Sequence, residues 1–210
     1  MTTPDRTIYA PSREYAERVA ALLDVHPDGA EWQAGSSEPW VVALLQALIV
    51  ANDVHTAVEI GAFKGYASVR IAEALDTLPH ATEFRICEID EARARDVATR
   101  LPRYEHVSYR VDIADSHRWI PTLEDESVDF VWLDGSHEKM HVAKEIALLL
   151  RKLRPGGIIA GHDVYGSCDL QGLFREATFP YVFGVEWRAM ALDLPRLGPA
   201  GGIGLIQRPR

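Results

Sequence analysis

The stretch SHEKMH, Ser136 to His141, contains a match to the pattern H-E-x-x-H. On a helix this spacing places His137 and His141 one turn apart on one face, where they can bind zinc while Glu138 acts as a general base. A zinc metalloprotease is therefore one function that the sequence allows. The match stands at the start of a helical pattern, however, and it lacks the downstream glycine and histidine of the metzincin form.

A second group of reactive side chains follows two successive strand patterns. Asp134 ends the run SVDFVWLD, and His162 and Asp163 end the run GIIAGHD. If these strands are neighbours in a parallel sheet, their carboxyl ends lie together, and so do the three side chains. Two carboxylates and an imidazole can bind a divalent metal, or they can form a hydrogen-bonded cluster without metal.

Two further strand patterns end in features that suit a ligand without phosphate groups. Gly61 and Gly65 follow TAVEI, but their spacing is not the G-x-G-x-x-G of dinucleotide binding, and Phe63 stands where that pattern needs glycine. Glu88 is the next-to-last residue of EFRICEI, at the end of the strand, where a carboxylate can accept hydrogen bonds from both hydroxyls of a ribose.

The strand pattern HVSYRVDI precedes another polar turn. Asp115 and Ser116 follow this run. Their side chains are suited to an adenine edge, or to capping the helix that comes next.

The elements that must position these residues alternate between strand and helix. The five strand patterns from TAVEI to GIIAGHD are separated by helical ones, which predicts parallel strands joined by crossover helices. LQGLFREAT reads as a helix, and YVFGVEWRAM and IGLIQR read as a late antiparallel hairpin. Helical patterns at 12–23 and from Ser37, the expected N-cap before Pro39, predict a helical cap over residues 1–53. Residues 54–210 would form the core of the same domain.

Four motifs in order, VEIGAFKGYAS, CEID, DFVWLDGSH and LRKLRPGGIIAGHDV, resemble the class I S-adenosylmethionine-dependent methyltransferases. The resemblance is greatest to the small bacterial O-methyltransferase-like group and covers residues 40–165. It implies an α/β, Rossmann-like, doubly wound sheet of seven strands in the order 3-2-1-4-5-7-6, with strand 7 antiparallel. It also implies transfer of a methyl group to a small-molecule acceptor. The expected acceptor atom is a hydroxyl oxygen, and nitrogen is the alternative.

The resemblance also assigns roles along the cofactor, S-adenosylmethionine. It places Glu59 at the amino acid end, residues 61–65 around the methionine part and Glu88 at the ribose. Asp134 would lie beside the reacting methyl group. The implied cofactor-binding set is Glu59, Gly61, Ala62, Phe63, Gly65, Ser68, Glu88, Ile89, Asp115, Ser116, Asp134 and His137.

A divalent metal is a second cofactor that the resemblance raises. Relatives similar to catechol O-methyltransferase hold magnesium with an aspartate after strand 4 and an Asp-Asp or Asp-Asn pair after strand 5. Asp134 and Asp163 match that pattern, but His162 replaces the first member of the pair, and imidazole suits Mn, Fe or Zn better than Mg. For catalysis we expect His137 as the base, His162 as the second candidate and Asp134 beside them. We expect His141 to face packing or solvent.

The acceptor pocket is expected to form from the N-terminal helices, the last hairpin, Phe63 and Tyr165. Candidates for its apolar walls are Trp32, Trp40, Trp187 and Met190.

The bulk properties exclude several classes of partner. A net charge of −9 and a pI of about 5.3 argue against a general binder of nucleic acid or membrane surfaces, and no apolar run is long enough to span a bilayer. Two cysteines give no disulfide framework, and the first residues lack a signal-peptide pattern. We therefore expect a cytoplasmic protein with a small-molecule partner, and a homodimer as its candidate assembly.

Other functions stay open at this point beside methyl transfer and the zinc metalloprotease. A non-catalytic S-adenosylmethionine-binding protein would keep Glu59, Gly61 and Glu88 without needing ordered acid–base groups. A metal-dependent relative of the hydroxylases is a further alternative.

Overall fold

A computed structural model describes residues 36–168, 170–174, 188–194 and 199–210. The helical pattern at 12–23 lies outside these residues, as do Trp32 and Trp187. The helices and strands are α1 (Pro39–Ala51), β1 (Thr56–Ile60), α2 (Tyr66–Asp76), β2 (Thr82–Glu88), α3 (Glu91–Arg100), β3 (Val107–Ile113), α4 (Ser116–Trp119), β4 (Val128–Leu133), α5 (Lys139–Leu149), β5 (Leu153–Gly166), β6 (Arg188–Leu192) and β7 (Ala200–Gln207).

The strands form one seven-stranded sheet in the order β3-β2-β1-β4-β5-β7-β6. The pairs among β1 to β5 are parallel, and β7 runs antiparallel to both β5 and β6. The predicted order, the antiparallel seventh strand and the late hairpin are therefore confirmed. This order brings the ends of β2, β1, β4 and β5 side by side at one edge of the sheet.

Helices cover both faces of the sheet, as parallel strands require. One core packs Ala57, Phe84 and Phe130 against α1, α2 and α3. The other packs Val58 and Val131 against α5. Because successive residues of a strand point to opposite faces, the continuous apolar runs of β1 and β4 serve both cores at once. Within the described residues no helix is both long and apolar enough to cross a membrane.

Local predictions around α1 and after β5 differ from the structure. Glu38, not Ser37, is the residue that precedes α1 at the N-cap, and Ser37 instead donates its hydroxyl to Asp134 Oδ2 at 2.8 Å. The predicted helix in LQGLFREAT is, where described, a short 3₁₀ turn over Gln171–Phe174. The Phe174 ring packs directly on the backbones of Gly161 and Gly204, which fixes the turn against β5 and β7.

Candidate functional site

A cleft of about 500 Å³ opens at the carboxyl ends of β1, β2 and β4. This is where an open α/β sheet binds its ligands. Of the predicted cofactor-binding residues, all line the cleft except Gly65 and Ser68. Of the predicted acceptor-pocket residues, Phe63 lines it, whereas Trp40, Tyr165 and Met190 do not.

The turn between β1 and α2 brings the backbone close to a ligand. Gly61 and Gly65 both adopt positive φ angles, of 83° and 80°. A Cβ at Gly61 would lie 2.3 Å from the Cα of Gly135, which follows β4. The two turns therefore touch backbone to backbone, and only glycine at position 61 permits that contact.

Glu88 holds the same turn from the neighbouring strand. Its buried Oε2 accepts hydrogen bonds from the backbone N–H groups of Ala62 and Phe63, both at 3.0 Å, and Oε1 accepts from the N–H of Asp90 at 2.9 Å. These bonds stabilise Phe63 at its positive φ of 49°. Each carboxylate oxygen can accept more than one hydrogen bond, so Glu88 still has acceptor capacity toward the cleft.

Glu59 lies buried at the end of β1 and lines the cleft. Neither carboxylate oxygen has a hydrogen-bond partner of ordinary geometry among the described residues. Burial raises the pKa of Glu59 to about 8; the Ser68 hydroxyl opposes this effect, and the Asp134 and Glu88 carboxylates add to it. A buried carboxylate whose nearby Ser68 hydroxyl makes no well-formed hydrogen bond to it is costly, so this side chain is suited to a ligand that brings a cation or an N–H group.

Asp134, His162, Asp163 and His137 come together beside Glu59. His162 and Asp163 lie inside β5, not after it, at an irregularity where Asp163 adopts a φ of 52° and the pairing with β7 shifts register. A bulge of this kind re-aims side chains, and both residues reach one cluster. His162 Nδ1 lies 3.1 Å from Asp134 Oδ1 and 3.5 Å from Asp163 Oδ1. His137 Nε2 lies 3.2 Å from Asp163 Oδ2 and 3.6 Å from Asp134 Oδ1.

A residue from outside the strands completes the cluster. Glu38, buried at the start of α1, places Oε2 2.7 Å from Nε2 of His162. His162 thus lies between two carboxylates. Burial opposes its protonation, but Asp134, Glu38 and Asp163 raise the pKa of His162 well above its ordinary value.

The same charges shift the other members of the cluster. Burial would raise the pKa of Asp134, but His162, His137 and Ser37 outweigh burial and lower it. Burial dominates at Asp163 and raises its pKa. Asp134 is the main cause of the raised pKa of His137, which is 44% exposed and faces the cleft.

The predicted metal ligands are close enough to share one ion. One ligand atom each from Asp134, His162 and Asp163 lies within 4.8 Å of the other two. With metal–ligand bonds of about 2.1 Å, adjacent ligand atoms are roughly 3.0 to 3.4 Å apart, and the Nδ1–Oδ distances of His162 are close to that range. The donor set therefore fits a divalent transition metal.

The H-E-x-x-H residues do not form a zinc site. Helix α5 begins at Lys139, and Glu138 is its N-cap, accepting the N–H groups of Met140 and His141. His137 lies before the helix and faces Asp163, whereas Nε2 of His141 faces Glu145. The two imidazoles therefore contact different clusters, and the structure does not support the metalloprotease alternative.

Residues 58–164 match a protein family described as a methyltransferase domain. This match spans half of the chain and includes β1 to β5 with the cluster at their ends. The chain belongs to the class I S-adenosylmethionine-dependent methyltransferases.

Individual relatives of this methyltransferase agree with the family match. A protein named as a probable O-methyltransferase from Mycobacterium tuberculosis is 31% identical over 133 residues, which are 58% of this chain and 54% of that protein. The chain thus spans about half the length of this curated relative. The O-methyltransferase TomG from Streptomyces achromogenes, solved with S-adenosylmethionine, has a TM-score of 0.66 at 21% identity and covers 94% of this chain and 89% of its own. An O-methyltransferase from Bacillus cereus, solved with S-adenosylhomocysteine, has a TM-score of 0.63 at 22% identity. The match covers 97% of this chain and 94% of that protein's chain.

Three residues of the candidate site were not predicted from the sequence. Glu38 acts on His162 from 124 positions away, and no local pattern marks it. His141, expected in packing or solvent, lines the cleft beside Glu145, which the sequence analysis did not consider. The available signal was their i, i+4 spacing, which places them on one face of α5.

Proposed function

We propose that this chain binds S-adenosylmethionine in the cleft and transfers its methyl group to a hydroxyl oxygen of a small molecule. The observation that carries the proposal is the buried, unpartnered carboxylate of Glu59 in a cleft that also presents Glu88 and Asp134. The cofactor carries an ammonium and a sulfonium group, and both are cations that suit this acidic surface. Relatives of the same fold hold this cofactor or its product.

The cofactor's parts fit successive residues along the cleft. Glu59 would accept the ammonium group, and the turn 61–65 would enclose the methionine part. Glu88 would use its remaining acceptor capacity on the ribose hydroxyls. Asp134 and His137 would then lie beside the methyl group.

Methyl transfer is an in-line displacement in which a C–O bond forms as the C–S bond breaks. Sulfur leaves as the neutral thioether of S-adenosylhomocysteine, so the protein must mainly align the two reactants and exclude water. The acceptor hydroxyl gives up its proton, and we assign that proton to Nδ1 of His137, a residue that lines the cleft, because Nε2 faces the Asp163 carboxylate. Asp163, 3.2 Å away, orients the imidazole and stabilises its protonated form.

A metal would be held by Asp134, His162 and Asp163, with Glu38 fixing the His162 ring through Nε2. When bound, a divalent metal lowers the pKa of a nearby hydroxyl and so favours oxygen as the acceptor atom. Manganese titration followed by electron paramagnetic resonance tests this assignment. Mn²⁺ should bind with a stoichiometry near one, and His162→Ala should abolish binding.

Calorimetry with S-adenosylhomocysteine tests the central proposal. We expect one binding site on the folded protein, followed by transfer of labelled methyl from S-adenosylmethionine to a member of a panel of phenols and catechols. No binding to a sample folded by circular dichroism would overturn the proposal. Binding without transfer to any hydroxyl or amine would favour the non-catalytic alternative. Light scattering on the same sample tests the proposed homodimer.

A further inference from the structure

The end of the cleft near β3 contains a second polar cluster, formed by Ser116, His141 and Glu145. The Ser116 hydroxyl donates to Glu145 Oε1 at 2.5 Å, and His141 Nε2 lies 3.2 Å from the same oxygen. The Glu145 side chain is only 1% exposed. Its other oxygen, Oε2, is buried without a hydrogen-bond partner among the described residues. A buried acceptor of this kind is satisfied when a ligand supplies an N–H group.

The strand order determines which part of the cofactor reaches this cluster. Glu59 lies on β1, and Asp134 directly follows the neighbouring strand β4. Together they form the acidic end of the cleft, which suits the ammonium and sulfonium groups of the cofactor. Glu88 on β2 comes next toward the edge of the sheet, and Ser116 follows β3 beyond it. With the amino acid at Glu59 and the ribose at Glu88, the nucleobase extends toward Glu145.

We propose that Glu145 recognises the nucleobase of the cofactor by accepting a hydrogen bond from the exocyclic amine of adenine. This inference rests on the proposed function, because it requires the cofactor in the cleft. The amine offers N–H groups to the unpartnered Oε2. A nucleobase with a carbonyl at that position would instead bring a second acceptor against a buried acceptor, which is unfavourable.

Neighbouring groups are less available for this role. Asp115, which was expected at an adenine edge or at the cap of the next helix, uses Oδ1 to accept the N–H of Arg118 and so caps α4. Ser116 directs its hydroxyl at Glu145 and thereby fixes the carboxylate. Asp115 keeps acceptor capacity at Oδ2, but Glu145 Oε2 differs in being a buried acceptor without a partner among the described residues, so it gains most from a ligand N–H group.

Two other readings of the cluster fit its geometry poorly. His117, His141 and Glu145 are close enough for a metal, but the two rings stack at 3.9 Å and His117 Nε2 is 3.2 Å from the carbonyl oxygen of His141. A Ser–His–Glu nucleophile needs the serine and the acid on different ring nitrogens. Here Ser116 and Glu145 both face Nε2 of His141.

The test compares S-adenosylhomocysteine with S-inosylhomocysteine, which replaces the exocyclic amine by a carbonyl, by calorimetry on the whole chain. The wild type should bind the adenine compound at least about tenfold more tightly. In Glu145→Gln this preference should fall to within about threefold, because the amide can also donate to the carbonyl. Glu124→Gln, an exposed glutamate outside the cleft, is the matched control and should keep the wild-type preference.

Equal affinity of the wild type for both compounds, or an undiminished preference in Glu145→Gln, would overturn the assignment of Glu145 while leaving the proposed function intact. Failure of both compounds to bind a folded wild type would overturn the proposed function itself. If Glu145→Gln does not fold, Glu145→Asp replaces it. That variant withdraws the carboxylate by one methylene and should lose affinity for the adenine compound alone; equal losses for both compounds would contradict the assignment.

Discussion

Glu59 has its pKa raised to about 8, chiefly by burial, so at pH 7 it is mostly protonated in the free protein. An unfolded glutamate ionises near pH 4.5. Between about pH 4.5 and pH 8, the folded protein therefore holds a proton on Glu59 that the unfolded chain has lost. Without ligand, the contribution of Glu59 to stability is fully present below about pH 4.5 and is lost as pH rises toward 8.

The first prediction follows from this proton. A bound ammonium group favours the charged carboxylate, so S-adenosylhomocysteine binding at pH 7 should release about one proton. Calorimetry in phosphate and in Tris, which differ in ionisation enthalpy, measures that release. Glu59→Gln should remove the difference between the buffers. Identical enthalpies in the two buffers for the wild type would show that Glu59 does not meet a cation.

The second prediction concerns His137 as the base. His137 lines the cleft and its Nε2 faces Asp163, so His137→Asn should lower kcat by about 10²- to 10⁴-fold. The Kd for S-adenosylhomocysteine should change by less than about threefold, because the product carries no acceptor hydroxyl. His55→Asn, an exposed histidine just before β1, should leave both values unchanged. An unaltered kcat in His137→Asn would assign the proton to another group.

At the scale of elements, the contact between the turns after β1 and β4 determines the shape of the cleft. A methyl group at Gly61 would meet the backbone of Gly135 at 2.3 Å, and the positive φ would be strained as well. We therefore predict that Gly61→Ala lowers the free energy of unfolding by about 2–4 kcal/mol. Urea denaturation with circular dichroism measures this loss.

Gly135→Ala is the matched comparison for this prediction. Its Cβ would meet the Cγ2 methyl of Ile60 at 3.3 Å and the Ile60 carbonyl oxygen at 3.4 Å, which are far looser contacts than the one at position 61. The cost should be smaller, below about 1.5 kcal/mol. Equal costs at positions 61 and 135 would mean that the two turns separate easily.

The strands β1, β2 and β4 were predictable because each is a short and largely buried run, and β3 because it is a short run between a helix and a polar turn. β1 has the predicted bounds, and β2, β3 and β4 agree with prediction to within about one residue at each end. The helices next to the cleft were less predictable. Ser37 was the better N-cap by propensity, but its hydroxyl is held by Asp134.

The residues of the candidate site also differ in how far the sequence predicts them. Residues at strand ends, such as Glu59, Glu88 and Asp134, follow from the order of the elements and line one cleft. Spacing pairs Glu145 with His141 on one face of α5, but it does not show that this face, or Glu38, reaches the site, because that depends on which helix packs over which strand. That information lies in tertiary contacts, not in the spacing of residues along the chain.

For the whole molecule, the net charge of −9 is the property with a direct consequence for partners. A chain of this charge repels the phosphate backbone, so we predict no retention on heparin or on double-stranded DNA at about 50 mM salt. Gel-shift and column assays measure this directly. Retention that weakens with salt would reveal a basic surface that the overall charge conceals.

The contacts of α1 with the cluster also bear on the order in which this protein folds. Ser37 and Asp134 are 97 positions apart, and Glu38 and His162 are 124 apart. Closing loops of this length is slow compared with forming a helix or a single strand pair. We therefore expect the proposed catalytic groups to reach their final positions late, after most secondary structure has formed. Enzymatic activity is then a more demanding measure of complete refolding than the recovery of helical circular dichroism.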